Sequence, residues 1–329
     1  MREWTPNDLI GYSNKSWGIC ALHAAVELDI FTPLTDRSMT TEEMAETLKC
    51  SHRGLEALIC AMCSLGLMSR SGNTVSLTPF SRQYLSRRSD DYIGFILLHH
   101  RELMPSFVQL DTAVREGRPT RVRGAMTPED RKSFIMGMYN MASVRADQAL
   151  RAVDFSGRKR LLDLGGGPGA YAVRFCQAYA GMEAVIFDLP STKPMAESVV
   201  SKQGLADRIS FVTGDFFKDD LPGGFDVVWI SHILHSSDDA ESALLLKKAM
   251  GCLNPGGLIA IQEFILDDSR DGPVFSAMFG LNMLAGTPGG KVYTPSELKG
   301  LLEQAGAINV RQLDMPNDNG SGIVMGEKA

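Results

Sequence analysis

Two groups of residues in this sequence have the types and spacing to do chemistry. His235 lies just beyond an apolar run, F-D-V-V-W-I-S at 225–231, that suits a buried strand, and Glu263 ends another, Ile261-Gln262-Glu263. A neutral imidazole is a suitable base near neutral pH, and a carboxylate beside it fixes its tautomer and stabilises the imidazolium. The pair points to proton removal from a bound molecule. The second group is a set of acids. Asp163 sits in R-L-L-D-L-G-G-G-P-G-A-Y at 160–171, Asp188 ends the strand of A-V-I-F-D-L at 184–189, and Asp215 follows Gly214 in G-D-F-F. Acids at the carboxyl ends of successive strands line the crevice where open α/β sheets bind ligands.

Gly165, Gly166 and Gly167 remove every side chain where the strand at Arg160 must turn into a helix. Pro168 fits that helix's first turn. Backbone can then approach a ligand closely, with helical N–H groups aimed at it. The spacing of Gly165, Gly167 and Ala170 also passes as a dinucleotide fingerprint. Asp163 decides between the readings, since an acid there holds a cationic ligand and repels a pyrophosphate. Asp188 is placed for ribose hydroxyls, and Asp215 for an adenine amino group with Phe216 against the ring. The set resembles the S-adenosylmethionine (SAM) site of class I methyltransferases, with Leu189 and Ser231 as further cofactor contacts. His232 and His235 form an H-x-x-H, but no third ligand is evident nearby, so no metal is expected. His232 reads as a packed or hydrogen-bonded core residue. His99 and His100 point about 100° apart on a helix and read as non-metal residues.

The elements that must position these residues follow from pattern. From Arg158 strand and helix alternate, with strands at Arg160, Ala184, Ile209, Phe225 and Leu258, which predicts a doubly wound, mostly parallel α/β sheet. Asn254-Pro255-Gly256-Gly257 reads as the turn before the fifth strand. Thr294-Pro295-Ser296-Glu297 caps the last long helix, and two strands follow at 309–313 and 322–326. Ser236 or Ser237 is expected to cap the helix after His235. Upstream, Leu9 to Leu34 reads as one helix, a second starts at the Thr40-Thr41-Glu42-Glu43 cap, and a third begins at Ser51. A hairpin over 67–77 turns at Ser71-Gly72-Asn73, and Thr78-Pro79-Phe80 closes the unit. This is a winged-helix arrangement. Its third helix offers only Arg53 before turning apolar, so a partner chain is expected against it rather than phosphates. The divisions are 1–89, a helical connector at 90–154, and 155–329.

The chain has 329 residues with 33 basic and 39 acidic side chains, a net charge of −6, and 44% hydrophobic residues. That balance argues against nucleic-acid binding driven by phosphate neutralisation. No apolar run is long enough to span a membrane, and M-R-E-W-T-P-N-D lacks the apolar core of a signal peptide, so a cytoplasmic location is expected. The six cysteines form no disulfide or zinc pattern; Cys60 and Cys63 lie in an apolar helical stripe and read as buried core thiols.

Taken together, L-L-D-L-G-G-G-P-G, F-D-L-P, G-D-F-F, H-S-S-D-D, L-N-P-G-G, Q-E-F-I-L and P-G-G-K-V-Y-T resemble the two-domain SAM-dependent O-methyltransferases over nearly the whole chain. That group includes plant caffeate and bacterial polyketide enzymes and carries a winged-helix dimerisation domain. The resemblance implies a homodimer, a small, mostly apolar, aromatic acceptor and a SAM-to-S-adenosylhomocysteine (SAH) conversion without metal. It places His235 as general base and Glu263 as its orienting carboxylate. Expected acceptor walls are Phe134, Met138 and Tyr139 from the connector, and Met278, Phe279, Asn282 and Met283 from the C-terminal region. Three departures stand out. Ser236-Ser237 replaces the Asp-Trp that usually follows the base in plant members, Ser231 stands where they often carry Lys, and Val292-Tyr293 follows Lys291 where many have an acid. A second carboxylate on the base is therefore expected to be missing. The rival readings are a C- or N-methyltransferase and a SAM-sensing winged-helix regulator.

Overall fold

The computed structural model describes residues 3–121, 127–315 and 320–329. The chain divides into two compact units, residues 1–102 with 129–140, and 103–128 with 141–329. The expected connector at 90–154 is therefore shared between them.

In the first unit, α1 (Pro6–Glu27) starts at a Thr5–Asp8 capping box, α2 (Thr41–Leu48) at a Thr40–Glu43 box, and α3 (His52–Ser64) at Ser51. The single helix expected to Leu34 ends instead at Glu27. Asp29 takes a positive φ, and a short 3-10 turn follows at Thr32–Leu34. A short strand β1 (Met39–Thr40) joins the hairpin of β2 (Met68–Ser71) and β3 (Thr74–Leu77), in the order β1-β3-β2. Thr78 does not close the unit but caps a further helix, α4 (Pro79–Tyr84). Ile30, Phe31, Leu34, Met44, Ile59 and Met62 form the core. Because Leu55, Ile59 and Met62 face that core, Cys60 is turned outward and exposed, and Cys63 is only half-buried. The expectation that both are core thiols is corrected. Phe134, Met138 and Tyr139 belong to this unit, and the Phe134 ring packs on His99 at 5.1 Å.

Helices α5 (Gly94–Val108), α6 (Leu110–Glu116) and α7 (Pro128–Ala152) span the connector. The second unit is then a seven-stranded sheet. It comprises β4 (Arg160–Leu164), β5 (Glu183–Asp188), β6 (Ile209–Thr213), β7 (Phe225–Ser231), β8 (Leu253–Phe264), β9 (Ala307–Leu313) and β10 (Ser321–Lys328). Its order is β6-β5-β4-β7-β8-β10-β9, parallel except where β10 pairs antiparallel with β8 and β9. The order reverses between β4 and β7, and there the carboxyl ends of both strands open a crevice. Helices α8 (Ala170–Ala178), α9 (Lys193–Lys202), α10 (Asp239–Cys252), α11 (Val274–Gly286) and α12 (Pro295–Gln304) complete the unit. Central strands buried on both faces explain the near-continuous runs L-L-D-L and V-V-W-I.

Three local expectations change. Asn254–Gly257 lies within β8 as an irregularity, because pairing with β7 shifts from Phe225↔Leu253 to Val227↔Leu258. Asp238, not a serine, caps α10, in a box with Glu241. Pro168 precedes α8, whose cap is Gly169 at φ 86°.

Candidate active site

The glycine loop is shaped by its neighbours. Gly165 has φ +70°, and a Cβ there would lie 2.5 Å from Ile233 Cδ1. That close approach ties the loop after β4 to the segment after β7, two residues before His235. A Cβ on Gly166 would meet the Asp163 carboxyl carbon at 2.5 Å, so that carboxyl group lies against the loop backbone. Asp163 is fully buried; its Oδ2 accepts from the Ala172 N–H at 3.1 Å, while Oδ1 has no hydrogen-bond partner. Burial pushes its pKa up to about 7, tempered by the Ala172 bond and reinforced by the charge of Asp188.

Asp188 accepts from the N–H of Gly167 at 2.8 Å, the N–H of Leu189 at 2.7 Å and the Thr192 hydroxyl at 3.0 Å. It thereby holds the glycine loop, a task the sequence reading did not assign to it. Burial raises its pKa against those three bonds. Leu189 beside it is exposed. The Asp215 carboxylate accepts from the Phe217 N–H at 3.0 Å and pairs with Lys218 at 2.7 Å, and that lysine bond leads in holding its pKa down. It is therefore already engaged. Phe216 stacks edge-on against Phe217 at 4.7 Å and borders Gly165. The Ser231 hydroxyl donates to Gln262 at 3.3 Å.

His235 sits on a 3-10 turn, Leu234–Ser236, directly after β7. Its Nδ1 lies 2.8 Å from Glu263 Oε2, and its backbone N–H donates to Oε1 at 3.3 Å. With Nδ1 donating to the carboxylate, Nε2 is left with its lone pair. Glu263 is fully buried at the end of β8. Burial alone would raise its pKa, but the charge and hydrogen bonding of the two imidazoles outweigh that and hold it well below the carboxylate range. No other acid pairs with His235 among the described residues. Phe279 from α11 packs edge-on against the His235 ring at 4.9 Å and lies 4.4 Å from Phe264. Met278 on the same helix is exposed, Asn282 is half-buried, and Met283 is buried.

Sequence reasoning missed several features. His232 is packed, 4.3 Å from the Phe264 ring, but neither ring nitrogen makes a hydrogen bond, and Glu263 is 3.7 Å from its Nδ1. Its backbone adopts φ 55°, a rare conformation for a side chain of this size. Burial lowers its pKa to about 4, partly opposed by Glu263. The expectation that no third ligand-type group lies near the two histidines is also corrected. Ligand atoms of His232, His235 and Glu263 lie within 4.8 Å of one another. Strand pairing brings Glu263 there, which sequence spacing could not reveal. Finally, a Cβ on Gly290 would meet the His235 carbonyl oxygen at 2.4 Å, so the P-G-G-K segment lies against the turn that carries the base.

Residues 107–307 match the model of an O-methyltransferase domain and residues 10–87 that of an O-methyltransferase dimerisation domain. The chain is 31% identical to 3-hydroxy-5-methyl-1-naphthoate 3-O-methyltransferase of Streptomyces sahachiroi, over 98% of this chain and 96% of that one. It is 26% identical to L-tyrosine C(3)-methyltransferase of Streptomyces lavendulae, over 98% and 94%. The crystal structure of human N-acetylserotonin methyltransferase in complex with SAM superposes with a TM-score of 0.88 at 28% identity, covering 99% of each chain. The chain belongs to the O-methyltransferase family, with the dimerisation domain preceding the methyltransferase domain.

Proposed function

We propose that this enzyme transfers the methyl group of SAM to a hydroxyl of a small aromatic acceptor, with His235 as general base. The observation that carries the reading is the hydrogen-bonded His235–Glu263 pair, placed beside the glycine loop by the Ile233–Gly165 approach. The residues present fit the cofactor. Asp163 offers an unpartnered carboxylate oxygen to a cationic amino group. Asp188 retains lone pairs for ribose hydroxyls, and Phe216 offers a ring face beside Gly165. The bound sulfonium supplies an electrophilic methyl group, so the chain's task is alignment and proton removal. His235 Nε2 takes the proton of the acceptor hydroxyl as the O–CH3 bond forms and the S–CH3 bond breaks. Glu263 keeps the proton of Nδ1 in place and stabilises the imidazolium. The relative that methylates tyrosine at carbon favours a second reading, in which the same proton removal activates the ring carbon beside the hydroxyl.

Asp163 makes cofactor binding pH-dependent. Its folded pKa lies above the unfolded value, so its favourable contribution to stability is present below about pH 4 and lost as pH rises towards 7. A bound ammonium favours the carboxylate and draws that pKa down. Binding at about pH 6 should therefore release close to one proton per site, and affinity should rise with pH until about 7. Calorimetry of SAH binding in two buffers of different ionisation enthalpy measures the release. Buffer-independent heats at about pH 6 would refute the role of Asp163.

The assembly is a homodimer through the N-terminal domain. Trp17 is 73% exposed and Leu9 and Ile10 each 60%, an apolar surface that suits an obligate interface. Light scattering should give twice the 35.9 kDa chain mass. Trp17→Glu should give a monomer that remains folded; a wild-type monomer with full activity would contradict the assignment. A cytoplasmic location is part of this proposal; no described helix is long and apolar enough to cross a membrane.

A further inference from the structure

His232 is held in place with its ring unused. Its backbone N–H donates to the Gln262 carbonyl at 2.8 Å, and its φ of 55° persists only where the surroundings fix it. Both ring nitrogens are buried without a hydrogen-bond partner, although Glu263 Oε2 is 3.7 Å from Nδ1. The proposed reaction uses His235 and Glu263 and gives His232 no task. A buried imidazole left unsatisfied costs stability, and a metal ion would satisfy it. The same Glu263 oxygen lies 2.8 Å from His235 Nδ1, and one ligand atom from each of the three residues falls within 4.8 Å of the others. Zinc bonds imidazole nitrogen and carboxylate oxygen at about 2.0 Å in a tetrahedron, whose edges are then about 3.3 Å. The distances of 2.8 and 3.7 Å bracket that edge, so small side-chain rotations close the site. Two imidazoles and one carboxylate are a donor set that suits zinc, with the fourth position open.

We propose that His232, His235 and Glu263 bind a zinc ion that switches the base off. The ion is an inhibitor and not a cofactor. Its effect on turnover rests on the reading of His235 as base; the site itself does not. In the metal-free enzyme His235 Nδ1 carries the proton and Nε2 the lone pair. Zinc on Nδ1 displaces that proton, and the neutral ring then carries it on Nε2. Nε2 becomes a donor and can no longer take the proton of the acceptor. The bonds of Asp163 and Asp188 to the glycine loop and α8 are untouched, so cofactor binding is spared.

Titration of metal-free protein with zinc chloride by calorimetry, and with cobalt(II) as a coloured substitute, tests the site. Wild type should show the visible bands of a tetrahedral nitrogen–oxygen cobalt site without the near-ultraviolet band of a thiolate, which separates it from binding at the exposed Cys20 and Cys60. His232→Asn tolerates the positive φ but is too short to reach the ion, and should weaken zinc binding by about 100-fold or more. His235→Ala should do the same, and decides the matter if His232→Asn fails to fold. At saturating zinc, wild-type kcat should fall about tenfold or more with SAH affinity within about twofold, and a chelator should restore it. The same zinc should barely change His232→Asn relative to its own metal-free rate. Zinc affinity within about threefold of wild type in both variants would overturn the site, and zinc that raises turnover would overturn its inhibitory role. Zinc bound at these residues with kcat unchanged would refute the inhibition and, with it, His235 as base.

Discussion

His235→Ala is expected to lower turnover by roughly 10²–10⁴ while leaving SAH affinity within about twofold of wild type. The two halves of the expectation come from different parts of the structure. In the proposed mechanism His235 Nε2 is the base, with its orientation fixed by the 2.8 Å bond from Nδ1 to Glu263. The proposed cofactor contacts lie on the glycine loop and on Asp163 and Asp188 of β4 and β5, none of which hydrogen-bonds to the imidazole. Steady-state kinetics with calorimetry on the same preparation separates the two. Near wild-type turnover would make His235 a structural residue and leave alignment to drive an acceptor that is already ionised.

Glu263→Gln should lower turnover by roughly 10², with cofactor affinity again unchanged. The amide oxygen can still accept from Nδ1–H, so the tautomer survives, but the charge that stabilises the imidazolium is gone. Glu263 Oε2 faces both imidazoles and Oε1 accepts from the His235 backbone N–H, so the amide keeps the Nδ1 bond and loses the weaker 3.3 Å backbone one, and circular dichroism on the same preparation checks that the variant is folded. Because the folded-state pKa of Glu263 is depressed, its contribution to stability is present above about pH 4.3 and is lost as pH falls towards the folded value. Unfolding midpoints of Glu263→Gln should therefore fall less steeply than those of wild type below about pH 4. A kcat equal to wild type would show that Glu263 neither orients nor charges the base.

Much of this architecture is legible in the sequence because local chemistry and fold agree there. Three glycines after L-L-D-L admit only a tight turn, and Thr40 and Thr294 each mark a helix start with an acid three residues on. Other features need the third dimension. Glu263 and His235 lie 28 residues apart, and only the parallel pairing of β7 with β8 makes them neighbours. The sequence places Asp188 at a strand end but cannot reveal that its oxygens also hold the glycine loop. Asn254–Gly257 has turn composition, yet it runs as an irregular stretch of strand because β7 pairs on both sides of it, at Leu253 and at Leu258.

The central claim is methyl transfer to an oxygen with proton removal by His235. The most direct measurement incubates wild-type protein and His235→Ala with trideuteromethyl-labelled SAM and a panel of phenols and naphthols, followed by mass and NMR analysis of the products. The account predicts label on a hydroxyl oxygen with wild type and its near-complete loss with His235→Ala at full cofactor occupancy. Label found on carbon or nitrogen, or equal labelling by the two proteins, would contradict it.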